Sequence, residues 1–65
     1  RRKVDPLVGS EGVTLEALAP GRLGRVELNG EPWNARLTTS RPLPAGARVR
    51  VERVEGLTVF VSPLR

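Results

Sequence analysis

Asn29-Gly30 sits between two stretches that alternate apolar and polar residues. Before it, Gly24, Val26 and Leu28 share one side and Arg25 and Glu27 the other. After it, Trp33, Ala35 and Leu37 share one side, with Asn34, Arg36 and Thr38 opposite. Asn and Gly both tolerate positive φ, which the tight turn of a two-residue hairpin needs. A hairpin over 22–38 is therefore the firmest element of the chain. With 65 residues, the hairpin must belong to a single domain with one small core.

The rest of the chain repeats the two-residue period. Val13, Leu15 and Ala17 alternate with Thr14 and Glu16, and Pro20-Gly21 breaks the run. Residues 39–46 are rich in breakers and read as a loop. Ala47, Val49 and Val51 alternate with Arg48, Arg50 and Glu52, but the next valine is Val54. That odd spacing predicts a β-bulge near Glu52-Arg53, which bends the strand. Glu55-Gly56 turns the chain, and Leu57, Val59 and Val61 then face one way with Thr58, Phe60 and Ser62 facing the other. The pattern predicts five antiparallel strands near 12–18, 22–29, 33–38, 47–55 and 57–62, and no helix beyond one turn.

Five short strands, one of them bulged, predict an all-β, five-stranded small barrel, because closure removes exposed sheet edges. An OB-fold and an SH3-like barrel both fit. An OB-fold would lack a substantial helix between strands three and four, where only the 39–46 loop is available. Trp33 is in phase with Ala35 and Leu37, which places it in the core.

Composition narrows the chemistry. Cysteine, histidine and tyrosine are all absent. A disulfide framework, a thiolate or histidine metal site and a histidine-activated nucleophile are excluded. Ser10, Ser40 and Ser62 have no histidine base. Lys3, the single lysine, is far from any hairpin tip where a carrier domain would need it. No catalytic residue, cofactor or metal is expected. No stretch reaches the roughly 20 apolar residues of a membrane span. The net charge of +4 resides in Arg1, Arg2, Lys3 and Arg65. Between Val4 and Leu64 the arginines and carboxylates balance, as on a solvated sheet face.

In this order, certain residues carry a resemblance. They are Gly9-x-x-Gly12-Val13-x-Leu15, Leu18-x-Pro20 and Gly24-x-Val26-x-Leu28-x-Gly30-Glu31-x-Trp33-x-Ala35. The ending, Gly46-x-x-Val49-x-Val51-x-x-Val54-x-Gly56-Leu57-x-Val59-x-Val61-x-Pro63, continues it. From Val8 to Leu64 the chain resembles the C-terminal soluble domain of NfeD proteins. Two departures stand out. Pro20-Gly21-Arg22-Leu23-Gly24 is longer than the Pro-x-Gly often seen there, and Asn34 replaces a frequent aspartate. The resemblance implies an OB-fold tethered to a membrane segment and partnered with a stomatin-like or flotillin-like (SPFH) membrane protein. Some longer relatives also carry a serine protease domain, which would lie outside this chain. On this reading residues 1–7 are a basic linker that follows a membrane segment outside the chain, and 8–64 are the barrel. The full-length protein is then membrane-tethered, with this domain on the cytoplasmic side, and self-association is compatible with the arrangement.

Function is expected to be non-enzymatic docking. The competing reading is a single-stranded nucleic-acid-binding OB module, which needs outward aromatic platforms and a positive groove. The outward positions Arg25, Glu27, Asn34, Arg36 and Thr38 hold no aromatic, so nucleic acid is not the expected partner. The expected partner contacts are Phe60 with its outward neighbours Thr58 and Ser62. Phe60 is either a contact residue or is covered by Val4, Leu7 or Val8. Leu43, between two prolines, is expected to plug the barrel mouth.

Overall fold

The computed structural model describes residues 5–64. Arg1-Arg2-Lys3, Val4 and Arg65 lie outside the described residues. Five strands follow in chain order: β1 (Glu11–Thr14), β2 (Gly24–Leu28), β3 (Glu31–Leu37), β4 (Arg48–Glu55) and β5 (Thr58–Pro63). They form a closed barrel in the order β1-β2-β3-β5-β4, with β4 returning to β1. This is the all-β, OB-type barrel expected from the sequence. Residues 38–47 contain no helix.

Both predicted hairpin turns are tight. Leu28 pairs with Glu31, leaving Asn29 (φ 52°) and Gly30 (φ 80°) as a type I′ turn. The bulge also lies where the valine spacing placed it. Val51 pairs with Val61 and Arg53 with Phe60, so Glu52 has no partner. The bend lets one strand run along β5 and also meet β1 through Arg48, Val49 and Arg50.

One pair departs from the antiparallel expectation. β3 and β5 run parallel, from Asn34↔Thr58 to Leu37↔Val61. The reason is topological. Strand direction cannot alternate all the way round a closed ring of five, so one neighbouring pair must be parallel.

The core is aliphatic. Val26 and Leu28 of β2, Ala35 and Leu37 of β3, Val49 and Val51 of β4, and Val59 and Val61 of β5 are buried together with Leu18. Leu43 forms the plug: its backbone exchanges two hydrogen bonds with Leu18 (2.8 and 2.9 Å), and its side chain packs on the core. Leu7 packs there too. Backbone bonds from Gly9 to the Val51 carbonyl (2.8 Å) and from Val51 to the Ser10 carbonyl (2.9 Å) continue the β1–β4 wall.

β1 reverses the expected phase and ends at Thr14. Val13 and Leu15 face outward, while Thr14 is 2% exposed. The interior is tight here: a Cβ on Gly12 would overlap the Glu27 carbonyl oxygen and the Leu28 side chain. Larger residues at the alternate positions are therefore kept outside. Thr14 is buried because it anchors the long loop. Its hydroxyl donates to the Pro44 carbonyl (2.7 Å) and accepts from the Ala47 amide (2.9 Å). Its backbone bonds Ala47 and Gly46 as well (2.9 and 2.8 Å).

Thr14→Val keeps the shape but leaves the Ala47 N–H and the Pro44 carbonyl without that partner. It is expected to cost about 2 kcal/mol, lowering the melting temperature by about 10 °C in a domain of this size. Thr14→Ser should retain most of the stability. Thermal melts of the two variants check this, and equal melts would show that the hydroxyl is not the anchor.

Candidate functional site

A closed barrel hides its backbone, so recognition must use outward side chains and the loops between strands. The outer positions fall into two regions of different character. On the β1–β4 wall, Glu11 pairs with both Arg48 (3.1 Å) and Arg50 (3.4 Å). The single Glu11 carboxylate is shared by two guanidinium groups, and such exposed pairs contribute little stability.

The other region crosses β2, β3 and β5. Its cross-strand row is set by register: Leu15 donates its N–H to the Arg25 carbonyl (3.0 Å), Arg25 pairs with Asn34, and Asn34 pairs with Thr58. Here Arg25, Glu31, Pro32, Trp33, Asn34 and Leu57 bound an open concavity of about 270 Å³. Leu57 is 78% exposed, the most exposed of the large apolar side chains that stand outside the core; Leu23, Leu15 and Val13 follow at 52%, 48% and 39%.

Leu57 was expected inside with Val59 and Val61. It is outside because β5 begins one residue later. Glu55 pairs with Thr58, so Gly56 and Leu57 form a two-residue turn, with Gly56 at φ 59° in the first central position as a type II′ turn requires. Trp33 shares the core phase but is only half-buried. Its β5 neighbour would lie before Thr58, where the chain has already turned away, so one side of the ring borders the concavity.

The sequence-derived contact residues lie on β5 beside this concavity. Phe60 is half-buried, and the Arg53 guanidinium stacks 4.0 Å from its ring centroid. Arg53 is also held by Glu55 (2.9 Å). Phe60 pairs with Arg36 on one side and Arg53 on the other, so it is an apolar centre between two cations. Thr58 adjoins Asn34 at the concavity rim. The Ser62 hydroxyl donates to the carboxylate of Glu52, the extra residue of the bulge. Thr58, Phe60 and Ser62 thus form one outward row, as the alternation predicts. Alternation places Arg25 outward, as found, without linking it to the contact row, and it places Leu57 on the wrong side. The signal for Leu57 was its place directly after a turn glycine, where a core role is unavailable.

Chemically, the surface offers apolar anchors and arginines. Among the described residues no cluster of carboxylates has the arrangement of a metal site. The Ser62 hydroxyl is engaged by the Glu52 carboxylate, and the chain has no histidine to serve as its base.

The NfeD-like C-terminal, partner-binding domain family model matches residues 4–63, and the chain belongs to that family. Two solved structures are similar to the chain. The C-terminal domain of stomatin operon partner protein 1510-C from Pyrococcus horikoshii is 32% identical, with a TM-score of 0.85; the match covers 100% of this chain and 98% of that one. The soluble domain of a membrane protein implicated in regulation of membrane protease activity, from Corynebacterium glutamicum, is also 32% identical, with a TM-score of 0.77. That match covers 85% of this chain and 87% of the other. No curated protein matches the chain.

Because Trp33 is only partly buried against the core, Trp33→Ala should cost about 2–3 kcal/mol, less than the 3–5 kcal/mol typical of a fully buried aromatic. Native emission should fall between those of a buried and a solvated indole, and a small neutral quencher should reach it. Complete protection from quenching would contradict the open concavity beside the ring.

Proposed function

We propose that this chain is a non-enzymatic docking domain that binds a stomatin-type (SPFH) membrane protein. The observation that carries the proposal is the partner-binding family match across 4–63. The relative from a stomatin operon, similar over its whole length, supports the partner class. The chain's lack of histidine, cysteine and tyrosine supports a role without chemistry. The relative described as the soluble domain of a membrane protein supports a tether outside this chain. In this reading the basic residues 1–7 link tether to barrel, residues 8–64 do the docking, and the domain faces the cytoplasm.

Phe60, with Thr58 and Ser62, forms part of the contact. Its ring, already desolvated on one side by Arg53, can be covered on the other by a partner's apolar side chain. A standard interface of about 800 Å² per partner would span this row and the adjoining concavity. The test is binding of the domain to the purified stomatin-type protein of the same organism in detergent or nanodiscs. The wild type should bind saturably. Phe60→Ser should weaken binding about tenfold, which is 1.4 kcal/mol. Its fold should lose only about 1 kcal/mol, because the ring is half-buried. No binding by the wild type would overturn the partner class. Tight binding of single-stranded oligonucleotides at physiological salt would replace it with the nucleic-acid reading.

A further inference from the structure

We infer that the concavity between Trp33 and Leu57 is a side-chain pocket for a partner segment that presents one large apolar residue next to a carboxylate. The inference deepens the docking function and rests on it.

Four observations converge. First, Leu57 gains nothing for the fold. It is 78% exposed in the second central position of a turn whose geometry needs only Gly56. Unlike a scattered surface leucine, Leu57 adjoins Trp33 and Pro32 around one concavity, and a contiguous apolar patch of this type marks an interaction site. Second, the pocket has an aromatic wall. Trp33 exposes the side that β5 fails to cover, because pairing of β3 with β5 begins at Asn34. Trp is the side chain that most often anchors interfaces. Third, the uncovered edge of β3 from Glu31 to Trp33 contains Pro32, which has no N–H. A partner strand cannot extend the ladder there, so the occupant must engage through side chains.

Fourth, charge sets the occupant's polarity. Arg25 has no carboxylate within ion-pair distance among the described residues. Its guanidinium makes only a long 3.5 Å bond to the Asn34 carbonyl oxygen. Arg48, Arg50 and Arg53 have carboxylate partners, whereas Arg22, Arg36 and Arg41, like Arg25, have none among the described residues; of these four, Arg25 is the one that lines the concavity. Arg25 sits in the row with Asn34, whereas Glu31 borders the opposite end of the pocket beside the hairpin turn. A partner carboxylate is attracted to the Arg25 end and repelled from the Glu31 end. The apolar residue therefore sits between Trp33 and Leu57, with the acid placed toward Arg25. A guanidinium beside a partly desolvated pocket also recognises a carboxylate through two parallel N–H donors.

The test uses defined probes and does not depend on the partner's identity. The isotope-labelled domain is titrated with acetyl-Gly-Leu-Glu-Gly-amide, and with versions carrying Lys for Glu or Ser for Leu. The first peptide should shift the Trp33 indole and Leu57 methyl signals in a saturable way. The Lys version should bind about threefold more weakly, as expected for one solvent-accessible charge pair, and the Ser version should not bind. Arg25→Gln should erase the difference between the Glu and Lys peptides, and Leu57→Ser should abolish the shifts while leaving the melt unchanged. In parallel, Leu57→Ser is assayed against the stomatin-type protein, where it should weaken binding at least tenfold. Absence of peptide shifts, equal binding of the Glu and Lys peptides, or unimpaired partner binding by Leu57→Ser would each overturn the pocket assignment. Peptide binding at the pocket with no wild-type binding to the stomatin-type protein would leave the pocket standing and remove that partner.

Discussion

Closure of the barrel depends on β4. This strand must pair with β5 along most of its length and also turn to meet β1. The unpaired Glu52 supplies the bend that lets it do both. With the ring closed, every strand has two neighbours, and the small aliphatic core is sealed at one mouth by Leu43. Stability then leaves the outer side chains free of structural duty. That separation of inside from outside is what allows so short a chain to carry a recognition surface.

Closure of five strands also forces one parallel pair, and it falls between β3 and β5. The consequence reaches the candidate site. A parallel β5 must start partway along β3, since it arrives from the β4–β5 turn. The first residues of β3 are left uncovered, and Trp33 lies at the boundary. The concavity, the partly exposed indole and the outward Leu57 all follow from this one offset. Phe60 sits two residues further along β5 from Thr58, on the same outer wall, so the two candidate contact regions are continuous.

Much of this was legible in the sequence. The Asn29-Gly30 turn, the alternation of β2 and β3, and the misplaced Val54 specify the hairpin, the inward residues and the bulge through local rules. What local rules could not provide was the neighbour relation between distant strands. Val13 and Leu15 look like core residues because alternation reports that two sides differ, not which one is inside. The answer came from Gly12, where no Cβ fits, and from Thr14, whose hydroxyl bonds a loop thirty or so positions away in the chain. Leu57 was misread because the register of β4 and β5 decides whether it belongs to a strand or to the turn. Phe60 was correctly placed outside, but its cover proved to be Arg53, a residue brought near only by the bulge.

The central claim is that the β2–β3–β5 outer wall is the docking face and the charge-paired β1–β4 wall is not. Amide cross-saturation of the labelled domain in complex with the stomatin-type protein tests it most directly. The account predicts that saturation transfers to Arg25, Trp33, Asn34, Leu57, Thr58 and Phe60, and leaves Glu11, Arg48 and Arg50 unaffected. Transfer concentrated on Glu11, Arg48 and Arg50, with the Trp33–Leu57 region silent, would contradict it.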